Sequence, residues 1–598
     1  LLIANYNIAN YKMHSRRGTT FIDIIISLGI IASLFWGIYL VYFSLIDSVT
    51  SIEARTAATE AVNQEIETLR NLPYGIVGTV GGVPAGVIPA QQAISIGNYT
   101  FSINTTVRNI DDPFDGVLGG TPNDTAPADY KLVEFSVSCP TCARFVPLTF
   151  TTTLAPKNLE TSSSTGSIFV NAFNAALNGI AGVTVHVTNS IVSPSIDLID
   201  TTNASGVLQL VGVPTSTLSY HVDVAKSGYS SDRTYPLGGQ GNPNPNNKDL
   251  TVGTGAVTSI SFKIDKVSQL TVRTSDVFCS PMSNKAFSID GAKTIGTNPD
   301  VLKFSTSSTT DANGSLLFPN LEWDTYTLTL SGASYDVLGT IPLNPMIINP
   351  NTINDFRFAL RSAQADSLLI TVTDAATGAV IQGATVNLSK SGYSNTLITG
   401  RTVVTDTDWS TGNYTSQNGG IDASSTPGTI KLLANASGTY STSTVSWLIS
   451  RTIDVGSSTS NYYSLSWNPT SQPAQTGVGS AKFQLAVNND NATWNFIGPD
   501  GTANTFYTAS STVTGLDNNR YVRYKAFLST QNSSVTPSID DVSLELHSVC
   551  TPPSQVLFSN LSPATYTIDV TAPQYFEATS SVSVAGAWQE AKIQLTHQ

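Results

Sequence analysis

Hydrophobic and polar positions follow successive patterns along the chain. Residues 24–46 read IIISLGIIASLFWGIYLVYFSLI, 23 residues without a charge, bounded by Asp23 and Asp47. As a helix this run rises about 35 Å at about 1.5 Å per residue, enough to cross a hydrocarbon core. A secretory signal peptide has an apolar region of roughly 7–15 residues ending at a small-residue cleavage site. This run is longer and lacks that ending. Residues 54–72, ARTAATEAVNQEIETLRNL, keep a helical period, with Ala58, Val62, Ile66 and Leu69 on one face. Pro73 and Gly75 stop it. Together the two stretches predict a helix of about 50 residues, apolar first and amphipathic later. Shorter alternating strands follow, YTFSINTTV from Tyr99 and KLVEFSVSC from Lys131, as a small sheet to pack on the helix. This unit ends near Glu160, where TSSSTG reads as a linker.

Beyond residue 160 the pattern is β throughout: short Val/Thr/Ile strands between Gly, Asn, Pro and Asp turns. It is also self-similar. DTTNASGVLQLVGVPTSTLSYHVDVAKSGY begins at Asp200, TTDANGSLLFPNLEWDTYTLTL at Thr309 and PPSQVLFSNLSPATYTIDVTAPQY at Pro552. Each holds a turn, a short apolar strand, a second turn, then a strand carrying Tyr220, Tyr326 or Tyr566. Gly206 and Gly314 stand where a turn would need positive φ. Front halves precede them: GSIFVNAFNAALNGIAGVTVHVTN from Gly166 and LLITVTDAATGAVIQGATVNLSKSGY from Leu368. These halves resemble the carboxypeptidase regulatory-like domain, a transthyretin-like seven-strand β-sandwich whose shape CNA-B-type sandwiches share. The resemblance implies sandwiches over residues 166–265, 266–362, and 366–407 joined with 549–598. The third is interrupted. Residues 408–548 do not follow the repeat, are rich in Trp and Tyr, and read as an inserted jelly-roll or laminin-G-like sandwich.

Ahead of the apolar run stands MHSRRG, residues 13–18, then TTFID. This resembles the leader of type IV prepilins and pseudopilins, and EIETLRNLPYG resembles minor pilins. The resemblance implies cleavage after Gly18 by a prepilin peptidase and N-terminal methylation of Thr19. It also implies an assembly role for Asp23, pairing with the terminal amine of a neighbouring pilin subunit. Arg16 and Arg17 fit the positive-inside rule. The family usually carries Phe and Glu where this chain has Thr19 and Asp23. Residues 1–12 have no place in such a leader; an upstream read-through or a misplaced start is the expectation, checked by N-terminal mapping.

Composition narrows the function. Charged residues are 12% of the 598, and 29 Lys and Arg against 42 Asp and Glu leave a net charge of -13. Nucleic-acid recognition needs clustered basic residues and is excluded as a partner class. The five histidines, His14, His186, His221, His547 and His597, show no HExxH or HxxE spacing, and neither GxSxG nor a Walker A pattern occurs. No catalytic residue, metal or cofactor is therefore expected. Cys139 and Cys142 form a CPTC motif outside the cytoplasm, read as a candidate disulfide. The connectivity of Cys279 and Cys550 is open. In the insert Trp447, Trp467, Trp494 and Tyr507 are candidate ligand contacts, with core packing as the competing role.

The expected protein is mainly β behind a long N-terminal transmembrane and stalk helix. It is non-enzymatic and pilin-like, processed at the cytoplasmic membrane, with its C-terminal part outside. Expected partners are the prepilin peptidase, other pilin or pseudopilin subunits and membrane lipid, with a surface glycan or another cell surface as a candidate contact of the insert. Two alternatives stay open: a single-pass surface protein outside any pilus, and a carbohydrate-binding or carbohydrate-active protein acting through the insert.

Overall fold

The structure, a computed structural model, describes residues 21–114, 116–124, 126–142, 145–156 and 164–598, with side chains from Ile25 onward. Gly18, Thr19, residues 1–12, the side chain of Asp23 and the boundary near Glu160 lie outside the described residues. The chain is mainly β, with one long apolar helix near the N-terminus and β-sheets in a tandem sandwich-like arrangement. It divides into two units. The first comprises residues up to 226 with 231–239 and 247–264; the second comprises 227–230, 240–246 and 265–598.

In the first unit, helix α1 (Phe21–Arg70) is followed by four antiparallel strands in sequential order: β1 (Gln91–Ile96), β2 (Tyr99–Ile110), β3 (Tyr130–Ser138) and β4 (Leu148–Leu154). Alternation in β2 and β3 turns Phe101, Ile103, Val107, Val133, Phe135 and Val137 to one face. Ala58, Ala61, Val62 and Leu69 of α1 pack there, and the alanines let the helix approach closely. The helix ends before Pro73, and a short 3₁₀ turn, Tyr74–Ile76, follows.

A sandwich follows in the same unit. Gly166–Phe173 pairs in parallel with Val257–Lys263 and antiparallel with Val207–Val213; Thr184–Asn189 pairs with Ile196–Thr201 and Ser216–Ala225 in the facing sheet. A paired charge joins it to the small sheet. Arg108 Nε on β2 donates to Asp200 Oδ2 at 2.6 Å, and Asp200 is buried. Asn109 Nδ2 donates to Val211 O at 2.9 Å, beside Gly212, whose φ is +80°.

The second unit repeats this pairing twice. Ser268–Ser275 lies parallel to Ile353–Ser362 and antiparallel to Ser315–Leu321. Leu368–Asp374 lies parallel to Gln589–Leu595 and antiparallel to Gln555–Phe558. One sandwich thus closes with strands from both sides of the aromatic-rich insert. Sequence patterning places residues 402–407 in that sandwich, and here the structure differs. Thr402–Asp406 pairs with Asp541–Ser548 in a sheet of the insert, so the inserted module begins near residue 402. The reason is register: Val404 alternates into the module's core beside Leu544 and Leu546.

Candidate functional site

The first half of α1 has no counterpart inside the protein. Leu28, Phe35 and Trp36 are 66–68% exposed, and large apolar side chains from Ile25 to Val49 are likewise exposed. Hydroxyls in or just beyond the run close onto their own helix: Ser33 Oγ donates to Ile30 O at 2.8 Å, Ser48 Oγ to Ser44 O at 2.8 Å and Thr50 Oγ1 to Ile46 O at 3.0 Å. Polar groups satisfied within the helix are cheap in hydrocarbon. An apolar surface of this length is a liability in water and a fit for lipid or for other apolar helices. The second half of α1 carries the sheet, so the exposed apolar run and the packed domain share one continuous element.

Lys131 fixes the join. Its Nζ donates to Tyr74 O at 2.7 Å and Val77 O at 2.5 Å, just after the helix, and lies over the Tyr74 ring. Burial pushes its ammonium down to about 8.

All four cysteines are in disulfides. Cys139 and Cys142 bond to each other at a Cα separation of 5.3 Å, at the end of β3. Cys279 bonds to Cys550, 271 residues away, and ties a turn of the middle sandwich to the end of the module. Ser548 Oγ donates to Val277 O at 2.8 Å beside it, and Phe278 packs against the module's core. No free thiol is left for nucleophilic or redox chemistry.

The four aromatic candidates separate into two pairs. Trp467 and Tyr507 are buried in the module's core, with Trp467 4.5 Å from Phe483. There they fill space. Trp447 and Trp494 are half-buried on the outer face of the sheet built on Tyr521–Leu528. Lys525 Nζ stands 4.2 Å from the Trp447 ring and Arg523 Cζ 4.1 Å from the Trp494 ring. Lys482 Nζ stands 3.8 Å from Phe506, which packs edge-on to Phe527 at 5.1 Å. Partial burial lowers the pKa values of Lys525 and Arg523 from their ordinary values. Other cations of the module pair with carboxylates: Arg401 with Glu545, Arg451 with Asp406, Arg520 with Asp454 and Lys431 with Asp422. Among the described residues Lys482, Arg523 and Lys525 have no such partner; they share a face with the rings.

Sequence reading missed those three cations, together with Phe506 and Phe527. A signal was available. In YVRYKAFL the period-2 alternation sends Val522, Tyr524, Ala526 and Leu528 inward and leaves Tyr521, Arg523, Lys525 and Phe527 outward.

Two other constellations bear on chemistry. His221 Nδ1 lies 2.9 Å from Asp249 Oδ1, and Thr234 Oγ1 donates to the same carboxylate oxygen at 2.8 Å. Thr234 is fully buried and its hydroxyl proton is directed at Asp249, which is not the arrangement of an activated nucleophile. Elsewhere, Asp111, Asp124 and Asp129 bring carboxylate oxygens within 4.8 Å of one another in the loop between β2 and β3.

No protein-family model matches the chain, and no curated protein matches it. Among solved structures, the Bacillus anthracis TIE protein is similar over 85% of this chain and 73% of its own, at 12% identity and a TM-score of 0.15. A streptococcal ancillary pilin is similar over 38% of this chain and 75% of its own, at 12% identity and 0.17. The minor pilin of Streptococcus agalactiae is similar over 33% and 96%, at 11% identity and 0.16. Scores this low carry nothing about function, which has to be read from the chain's own residues.

Proposed function

We propose that this chain is a non-enzymatic, type IV pilin-like surface protein. A prepilin peptidase cleaves it after Gly18, Thr19 is methylated, and Asp23 pairs with a neighbouring pilin subunit. The single observation that supports this reading is the division of α1. Its first half exposes apolar side chains along the membrane-length run, while its second half packs Ala58, Ala61, Val62 and Leu69 under a four-stranded sheet. A helix so divided can sit in lipid or among like helices while holding its sheet outside. The mass of β domains behind that sheet would crowd a fibre shaft, so the protein belongs at a pilus tip or in low copy.

Substituting Gly18 tests the reading. Loss of N-terminal processing and of pilus association is expected; normal processing and unchanged location would favour a single-pass surface protein outside any pilus. Immunolabelling of isolated pili along their whole shaft would exclude the tip position.

A second reading concerns the module's outer face. Half-exposed Trp447 and Trp494 beside Lys482, Arg523 and Lys525 suit a sugar ring stacked on indole with an acidic group on the cations. Glycan-array binding to acidic polysaccharides, reduced at least tenfold in Trp447→Ala, supports it; no binding, or binding unaffected by that change, removes it. Hydrolysis of a bound glycan would overturn the non-enzymatic reading.

A further inference from the structure

We propose that the β2–β3 loop is a calcium site, with Asp111, Asp124 and Asp129 as its carboxylate ligands. The inference is independent of the anchoring function above. Asp111 directly follows β2, Asp129 directly precedes β3, and Asp124 comes from the middle of the loop, so one ion would clasp both ends and the centre of the segment. Their ligand oxygens already lie within 4.8 Å of one another. Backbone amides hold each carboxylate in place through one oxygen. Leu118 N donates to Asp111 Oδ2 at 2.9 Å, Ala126 N to Asp124 Oδ1 at 2.7 Å, and Asp112 N to Asp129 Oδ2.

The second observation comes from Asp124. It is 8% exposed, and its other oxygen, Oδ2, is buried with no hydrogen-bond partner. A buried anionic oxygen without a partner is costly, and two neighbouring carboxylates add repulsion. The cations on the adjoining strands are committed elsewhere. Lys131 donates to Tyr74 O and Val77 O, and Arg108 pairs with Asp200 and Glu134. A cation bound between the three carboxylates gives the Asp124 oxygen the partner it lacks.

The ligand set selects the ion. Residues 111–129 contain neither His nor Cys, so zinc and copper lack their preferred donors. Carboxylates on an irregular loop suit the flexible, all-oxygen shell of Ca²⁺ better than the strict octahedron of Mg²⁺. The adjacent aspartates Asp540 and Asp541 of the inserted module differ. Asp540 accepts from Thr429 Oγ1 at 2.9 Å and Asp541 from Asn468 Nδ2 at 2.8 Å.

The test is calorimetric titration of the full chain in detergent, stripped with chelator, using CaCl₂ and separately MgCl₂. The expected result is saturable Ca²⁺ binding with a Kd in the range of about 10⁻⁵–10⁻³ M, at least about tenfold tighter than Mg²⁺. Asp124→Asn should weaken it about tenfold or more, and Asp541→Asn should leave it unchanged. Limited proteolysis of the wild-type chain gives a readout that needs no variant: Ca²⁺ should protect residues 111–129 from cleavage. The proposal falls if the wild-type chain shows no saturable Ca²⁺ binding and no protection at 10 mM, or if Asp124→Asn binds Ca²⁺ as the wild type does.

Discussion

Lys131 shows how a single side chain joins two elements. Burial lowers its ammonium to about 8 from an ordinary 10.5 while it serves two carbonyls behind the helix. Between those two values the unfolded chain binds more protons than the folded one, so the Lys131 contribution to stability rises with pH across that window. Urea denaturation from about pH 7.5 to about pH 10 should show the wild type gaining on Lys131→Met as pH increases. Arg108 carries a different load. It is the partner of Asp200, which is buried, and Arg108→Ala would leave that carboxylate uncompensated. A loss of about 3–5 kcal/mol in the first unit is expected, measured by chemical denaturation. Three tyrosines legible as repeat markers have one job in all three sandwiches. The hydroxyls of Tyr220, Tyr326 and Tyr566 donate back to Pro214 O, Glu322 O and Ser562 O, and their rings are buried. Tyr326→Phe should cost about 1 kcal/mol, the usual worth of one such bond.

At the level of strands and turns, the repeats share more than their sequences display. A buried threonine closes the same corner in the first and third sandwiches. Thr202 Oγ1 donates to Ile180 O and accepts from Val183 N; Thr399 Oγ1 donates to Ile381 O and accepts from Ala384 N. Thr310 accepts from Lys285 N in the second. After Thr202 and Thr310 the chain turns tightly through Asn203–Gly206 and Asp311–Gly314, whose side-chain oxygens accept from amides two and four residues on. Gly206 and Gly314 have φ of +79° and +65°, and a Cβ on Gly314 would lie 2.5 Å from Thr274 O. After Thr399 that turn is absent, and the module occupies its place. The insertion therefore interrupts a surface turn and no strand, which is why the host sandwich still closes. Replacing residues 400–554 by an Asn-Ala-Ser-Gly turn should leave that sandwich folded, seen as retained hydrogen-exchange protection in Leu368–Asp374 and Ala564–Thr571.

On the scale of the whole chain, covalent and apolar links set what stays together. Cys279–Cys550 joins residues 271 apart within the second unit, at the point where the module returns to its host. Replacing both cysteines by alanine should lower that unit's stability by about 2–5 kcal/mol and loosen the module first, measured by hydrogen exchange. In the first unit, removal of residues 1–47 should shift the protein from the membrane fraction to the soluble one, because the apolar run of α1 contributes nothing to the core.

Sequence alone determined whatever is written as a local period. The uncharged run of residues 24–46, the amphipathic continuation through Leu69 and the mainly β character beyond it are properties of neighbouring residues, as is the alternation that turns Arg523 and Lys525 outward. Tertiary structure alone decided the partnerships. It paired Cys279 with Cys550, moved Thr402–Asp406 into the module, sent Trp467 inward while leaving Trp447 at the surface, and gathered Asp111, Asp124 and Asp129. The physical reason is common to all four. Periodicity fixes which way a side chain points from its own strand, but what it meets depends on which distant strand or loop packs there, and that is set by the folded chain.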